Sequence, residues 1–84
     1  MATNIFKNRA NVCVAKQTIS FVNAGINGEN TEIIYRTNGD NRSYVPGRMI
    51  NPITRFEQGI SYYIIAKQDM DLTTYVYPPL PGDH

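Results

Sequence analysis

The chain has 84 residues, with eight basic and seven acidic side chains and a net charge of +1. This length allows one domain with a thin core, and the balance of charge argues against a surface that neutralises many phosphates. A single cysteine, Cys13, excludes an internal disulfide, and a single histidine, His84, leaves no His/Cys cluster for structural zinc. We therefore expect partner chains to complete the small core.

The N-terminal residues, MATNIFKNRA, lack the apolar segment of a secretory signal peptide. No apolar run reaches the length of about 18 residues that a membrane span requires. A lone cysteine is typical of proteins made in a reducing compartment. We expect synthesis in a cytoplasm and no membrane partner.

The composition predicts an all-β fold. Ile, Val and Thr together supply 22 of the 84 residues, whereas Leu occurs only twice. β-Branched side chains favour a pleated sheet over a helix, and the nine Asn, six Gly and five Pro are turn formers. The spacing of the turn signals predicts a small antiparallel β-sandwich or barrel of about six or seven short strands.

The chain begins with a polar segment, residues 1–10, in which Ile5 and Phe6 are the only large apolar side chains. We interpret this segment as an extended arm that docks on a neighbouring chain through these two residues. Alternating apolar residues then predict two short strands, at residues 12–15 and 18–22. An Asn- and Gly-rich loop follows at residues 23–30.

Residues 31–37 alternate as a strand, with Ile33 and Tyr35 on the same face. The turn that follows, Asn-Gly-Asp-Asn at residues 38–41, is the strongest turn signal in the chain. Asn-Gly suits a type I′ hairpin, so we expect residues 42–45 to pair back on this strand.

The longest apolar run, ISYYIIAK at residues 60–67, is apolar on both faces of a strand. One face holds three large apolar residues, and we assign it to the core: Ile60, Tyr62 and Ile64. The other face carries Tyr63 and Ile65 between the more polar Ser61 and Lys67. Because so short a chain has few residues left to cover this second face of the strand, we expect Tyr63 and Ile65 at an interface with another chain.

The C-terminal residues 76–84 contain three of the five prolines and cannot form a regular strand ladder. We expect an extended arm that packs on a neighbouring subunit through Tyr75, Tyr77 and Leu80. The predicted organisation is one β domain with an N-terminal arm, a β core and a C-terminal arm: residues 1–10, 11–75 and 76–84.

No catalytic, metal-binding or cofactor-binding residue is assigned, and we do not expect an enzyme. His84 is terminal, and Cys13 between Val12 and Val14 has the pattern of a small buried hydrophobe. Asp69 and Asp71 could share one face as an acid–base or Ca²⁺ pair, although such spacing more often marks a solvated turn.

Residues 42–73, RSYVPGRMINPITRFEQGISYYIIAKQDMDLT, resemble a pattern in small β-sandwich modules of virions and bacterial surface proteins. The pattern has a polar hairpin, an Ile-Thr-x-Phe step, a Gly turn and an aromatic strand. Gly59, Tyr62 and Ile64 match it, whereas Ser61 and Tyr63 stand where Gly and Trp are common.

A stand-alone module of this size is most similar to the decoration, or cement, proteins of tailed-bacteriophage heads. The resemblance implies a structural protein that binds and stabilises a phage shell through contacts with capsid or other virion subunits. It implies a homo-oligomer, with a trimer favoured, located in the virion after assembly in the host cytoplasm. It carries over no catalytic residue.

Two other functions compete with this one. The first is a carbohydrate-binding module that stacks sugars on a platform drawn from Tyr62, Tyr63, Tyr75 and Tyr77. The lack of Trp counts against it. The second is an OB-like barrel that binds single-stranded nucleic acid, against which the near-zero net charge counts. The abundance of Arg and Tyr, together with the near-zero net charge, favours a protein interface over a nucleic-acid groove.

Overall fold

A computed structural model describes residues 5–6, 9–40 and 42–77, which form nine short strands and no helix. The prediction of an all-β fold is therefore confirmed, with more and shorter strands than expected. The strands are β1 (Ile5–Phe6), β2 (Ala10–Ala15), β3 (Ile19–Ser20), β4 (Thr31–Arg36), β5 (Ser43–Tyr44), β6 (Arg55–Phe56), β7 (Ser61–Ala66), β8 (Met70–Asp71) and β9 (Val76–Tyr77).

Five strands form one antiparallel sheet in the order β5-β4-β7-β2-β9. Strand β7 lies at its centre, where Tyr63 is opposite Val12 of β2 and Tyr35 of β4. The remaining four strands form two separate ladders, β1 with β8 and β3 with β6. The architecture is therefore one broad sheet with two small ladders as an incomplete second layer.

The inner face of β7 is the set of residues that the alternation assigned to the core. Tyr62 and Ile64 are fully buried, and Ile60 packs against the core from the preceding turn. Tyr63 and Ile65 point to the opposite face, as the period of a strand requires. The interpretation of the two faces is confirmed.

An aromatic cluster joins the inner face of the sheet to the ladder of β3 and β6. The ring of Phe21 meets those of Phe56 and Tyr62 edge to face, with centroids 4.8 and 6.1 Å apart. Phe56 and Tyr62 also meet edge to face, at 5.0 Å. Each such pair adds about 0.5–1.5 kcal/mol to the free energy of burial alone.

The hydroxyl of Tyr62 is satisfied inside this cluster. It accepts a hydrogen bond from the Glu57 N–H at 2.8 Å and donates one to the Arg55 carbonyl at 3.3 Å. A buried hydroxyl without partners would cost about 1–3 kcal/mol, so these contacts let a tyrosine occupy a core position. They also fix β6 against the centre of the sheet.

The turn before β7 forms as the sequence predicts. The Ile60 N–H donates to the Glu57 carbonyl at 3.0 Å, and Gly59 adopts a φ of +84°, which other residues reach only with strain. This turn sets the point at which β7 begins and hence which of its residues face inward.

The hairpin between β4 and β5 is present, but its turn is not type I′. Ile34 lies opposite Tyr44, and the Arg36 N–H donates to the Arg42 carbonyl at 2.8 Å. This register leaves a loop over residues 37–41, longer than a two-residue turn. The Asp40 carboxylate holds the wider loop, because it accepts hydrogen bonds from the Arg36 guanidinium and the Arg42 N–H.

The expectation of a docking arm at the N-terminus is wrong for Phe6. Strand β1 pairs with β8, and Phe6 is buried in the protein's own core at 3% exposure. Its apolar surface is therefore already covered and cannot be offered to a partner. Ile5 belongs to the same strand, opposite Asp71, and its side chain lies outside the described part of the structure.

The β core also extends further toward the C-terminus than residue 75. Strand β9 pairs with β2, and Val76 is fully buried. The predicted arm therefore cannot begin at residue 76. The proline-rich residues 78–84, including Leu80, lie outside the described residues.

The aromatic cluster yields a test with adjacent residues. Phe21→Ala should lower the free energy of unfolding by about 3–5 kcal/mol, because it empties a fully buried site. Val22→Ala is the matched control: Val22 is 69% exposed, so its truncation should change the free energy by about 0.5 kcal/mol or less. Urea denaturation measures both, and equal effects of the two substitutions would contradict this packing.

Candidate interaction surface

The second face of the main sheet is apolar and is called here the outer face. Its large side chains follow from the strand register: Val12 and Val14 of β2, Ile33 and Tyr35 of β4, Tyr63 and Ile65 of β7, and Tyr77 of β9. Both small ladders contribute to the core on the inner side. The outer face therefore carries three Tyr, two Ile and two Val, together with the small side chains of Ala10, Ser43 of β5 and Ser61.

Four of the seven large side chains on the outer face are substantially exposed. Val12, Tyr35, Tyr63 and Tyr77 have between 36% and 44% of their surface in contact with solvent, and the other three are half-buried. The rings of Tyr35 and Tyr63 are in contact across the β4–β7 pair, with centroids 6.1 Å apart. The exposed apolar area is on the order of 400 Å², within the range of the largest patches of monomeric proteins.

One edge of the outer face is held by Lys16. Its Nζ donates to the Thr73 carbonyl at 2.6 Å and lies 5.9 Å from the centroid of the Tyr77 ring. A cation over a ring contributes about 0.5–1 kcal/mol at an exposed site. The contact orients Tyr77 on the short edge strand β9.

The structure brings three of the seven candidate interface residues together. Tyr63, Ile65 and Tyr77 all lie on the outer face. Tyr75 instead packs against the core from the turn before β9, which leaves it half-buried. Phe6 is in the core, and the side chains of Ile5 and Leu80 are not described.

The tyrosine platform expected for a carbohydrate-binding module is divided by the fold. Tyr62 is fully buried, Tyr75 packs on the core, and only Tyr63 and Tyr77 reach the same surface. Strand alternation explains the division, because adjacent residues of β7 point to opposite faces.

Five charged side chains form a cluster near the end of the β4–β5 hairpin. The Arg36 guanidinium contacts the carboxylates of Asp40 and Glu57, and Arg42 and Arg55 flank these two acids. Hydrogen bonding from Arg36 lowers the pKa of Asp40, and the same bond raises the pKa of Arg36. Asp40 therefore contributes stability at neutral pH that is lost as the pH falls below its ordinary pKa.

An open cleft of about 240 Å³ adjoins this cluster, lined by Arg36, Pro52, Ile53, Thr54, Arg55 and Glu57. Both arginines that line it are in ion-pair contact with Glu57. The cluster closes the hairpin, and its charges are directed at one another.

The remaining chemical groups do not assemble into a reactive site within the described residues. Burial raises the pKa of the Cys13 thiol to about 12, against the opposing effect of a hydrogen bond with the Tyr62 backbone. In residues 5–6, 9–40 and 42–77, no three His, Cys, Asp or Glu side chains come close enough to hold a metal ion. The same residues include no helix able to cross a bilayer.

Sequence reasoning missed two parts of the exposed apolar surface. The first is the contribution of Val12 and Tyr35 to the outer face, which depends on a register between distant strands. The second is Met49 and Ile50, which are 96% and 79% exposed in the segment between β5 and β6. A signal for the second existed: an apolar pair between a Pro-Gly turn and an Asn-Pro break belongs to a loop.

Comparison with known proteins adds no assignment, because no protein-family model, curated protein or solved structure matches the chain. The geometry of the exposed surfaces is therefore the basis for a functional proposal.

The burial of Cys13 predicts that its thiol reacts slowly with alkylating reagents in the native protein. With a native pKa near 12 against an ordinary 9.0, its thiolate fraction at pH 8 should fall about a thousandfold. Iodoacetamide followed by mass spectrometry should label the native chain correspondingly slowly and the chain in guanidinium rapidly. Because the native pKa lies above that of the unfolded chain, the contribution to stability is lost as the pH rises from 9 toward 12. Equal labelling of both states would show that Cys13 is accessible.

Proposed function

We propose that this chain is a non-enzymatic structural protein that acts through protein–protein contacts, with the outer face as its main interface. The observation that carries the proposal is that the outer face is apolar, aromatic and uncovered on the central strands of the only broad sheet among the described residues. The chain associates with copies of itself and joins a larger protein assembly.

The composition of the outer face supports a protein partner. The cores of protein interfaces are enriched in aromatic residues and depleted of charge. Tyr35, Tyr63 and Tyr77 supply the aromatic surface, and the charged residues of the hairpin pair with one another elsewhere. Because three of the five strands that carry the face are hydrogen-bonded on both sides, little conformational entropy is lost when a partner binds.

The same composition favours a protein over the two competing ligands. Single-stranded nucleic acid needs cations along its backbone in addition to stacking rings, and Lys16 at one edge is the cation in contact with a ring of this face. For a sugar, the fold removes Tyr62 and Tyr75 from the predicted platform by packing them in or on the core. The rings of Tyr35 and Tyr63 on the outer face are inclined at 45° to each other, so they do not form one flat stacking surface.

The assembly that the resemblance implies is a virion shell, and this setting is part of the proposal. A decoration protein of a phage head needs an outward module and an apolar contact with its neighbours, and the outer face is suited to such a contact. Location of the coding sequence beside shell and tail genes would support this setting, and an unrelated gene neighbourhood would count against it.

A substitution in the middle of the outer face tests the proposal. Ile65→Asp places a carboxylate on β7, where the side chain is half-buried within the apolar surface. We expect it to weaken self-association at least a hundredfold, about 3 kcal/mol, because a partner would have to bury the charge. The monomer should keep a cooperative thermal transition. Sedimentation velocity over a range of concentrations measures the first effect and circular dichroism the second.

Two control variants make the result interpretable. Gln58→Asp adds the same charge in the exposed turn before β7 and should leave association unchanged. Ile64→Asp alters the adjacent, fully buried residue and should unfold the chain. The proposal fails if the parent protein is monomeric at every concentration, or if Ile65→Asp associates as strongly as the parent.

A further inference from the structure

The segment between β5 and β6 contains a loop whose conformation is fixed by hydrogen bonds. Pro46 and Gly47 occupy the centre of a turn in which the Arg48 N–H donates to the Val45 carbonyl at 3.0 Å. Gly47 has a φ of +90°, as the third position of a type II turn requires. Residues 45–51 are called here the Met–Ile loop.

The Asn51 side chain clamps this loop at its base. Its Oδ1 accepts from the Val45 N–H at 2.9 Å, and its Nδ2 donates to the carbonyls of Val45 at 3.4 Å and Arg48 at 3.3 Å. The loop conformation is therefore set by four hydrogen bonds within the segment. It is preorganised for binding, since little order remains to be imposed by a partner.

The tip of this ordered loop carries the most exposed large apolar residues of the described chain. Met49 is 96% exposed and Ile50 is 79% exposed. Arg48 beside them is exposed and forms no ion pair with any described residue. An ordered loop that exposes two apolar side chains to water is suited to bind an apolar surface on another molecule.

We propose that the Met–Ile loop of one copy packs on the outer face of the next copy, in a head-to-tail contact. The inference rests on the proposed function, because it names the occupant of the interface assigned there. The near-complete exposure of Met49 means that the loop does not contact the outer face of its own chain. The contact is therefore between two copies.

The surface areas fit such a contact. The Met–Ile loop and the outer face together offer on the order of 700 Å² of apolar surface. A specific interface buries about 1,200–2,000 Å² in total, of which roughly 55–65% is apolar. The two apolar surfaces supply the core of a small interface, and the polar atoms around them supply its rim.

The polar groups of the two surfaces are also complementary. The exposed Glu32 lies next to Ile33 at a bulge of β4 and, like Arg48, has no ion-pair partner among the described residues. On the outer face, the hydroxyls of its three tyrosines make no hydrogen bond within the described part of the chain, and neither do the peptide groups of Met49 and Ile50. The loop therefore brings peptide donors and acceptors to tyrosine hydroxyls that would lose their water when the contact forms.

A contact between two different patches has a different symmetry from a contact of one patch with itself. Head-to-tail contacts repeat around a ring if the rotation closes, and otherwise extend into a filament. A twofold dimer through the outer face alone would leave Met49 and Ile50 in water. The two arrangements are distinguished by a mixing experiment.

The experiment uses two variants that each lose one side of the contact. A loop variant, Met49→Ser with Ile50→Ser, changes exposed residues and leaves the Asn51 clamp in place. A face variant, Ile65→Asp, alters the outer face, and Val12→Lys replaces it if the first substitution unfolds the chain. We expect each variant alone to be monomeric, with self-association weakened at least a hundredfold. An equimolar mixture should form a dimer of twice the 9.5 kDa chain mass and nothing larger.

The outcomes separate this inference from the proposed function. If the loop variant still associates while the face variant is monomeric, the outer face packs on itself: the head-to-tail contact is wrong and the proposed interface stands. If the face variant associates like the parent, both are wrong. A parent that stays monomeric at all concentrations also overturns both. Sedimentation velocity and light scattering give the masses.

A charge exchange provides a second measurement on the same contact. Arg48→Glu should weaken association about two- to fivefold, the effect expected of an exposed ion pair. Adding Glu32→Arg in the same chain should restore it, because each contact of a homo-oligomer then carries the exchanged pair. Restoration by a lysine at position 58, Gln58→Lys, would indicate a general effect of net charge and would count against the Arg48–Glu32 contact.

Discussion

The pairing of β7 with β2 on one side and β4 on the other is the constraint on which the structure depends. The strand is hydrogen-bonded along both edges, so its backbone is satisfied, while its side chains are apolar above and below. The chain supplies enough material to cover one of these faces: residues of both ladders share one hydrophobic core with Tyr62 and Ile64. The uncovered face is a consequence of placing a doubly apolar strand at the centre of the main sheet in a chain of 84 residues.

Local patterns in the sequence predicted local features well. Alternation divided β7 into two sets, Tyr62 with Ile64 and Tyr63 with Ile65, because the period of a strand is fixed by backbone geometry. The larger number of big apolar residues in the first set correctly predicted that it faces the core. Non-local features were beyond reach: which strands flank β7 is decided by packing, so the sequence did not show that Tyr35 and Val12 adjoin Tyr63. The pairing of β1 with β8 joins segments about 65 residues apart, and a polar stretch around Phe6 resembles an arm until that pairing is known.

Among the described residues, the fold provides partners for the buried polar groups but leaves several large apolar side chains exposed to water. No buried side-chain nitrogen or oxygen among these residues lacks a hydrogen bond, and Arg36, Asp40 and Glu57 pair with one another. Apart from Val22 in the turn after β3, the exposed large apolar residues lie on two elements, the main sheet and the Met–Ile loop. The outer face and the Met–Ile loop are therefore both apolar, and Glu32 and Arg48 beside them have no ion pair among the described residues.

The position of β7 in the sheet also bears on how the chain folds. Cys13 of β2 lies opposite Tyr62 of β7, so the two central strands of the sheet are separated by about 50 residues of chain. Contacts between distant segments carry a large cost in loop entropy before they are formed, which makes folding slow for topologies of this type. During synthesis, β2 emerges early and has no partner until residue 66 has been made. The β4–β5 hairpin, in contrast, joins neighbouring segments and can pair as soon as residue 44 has been made.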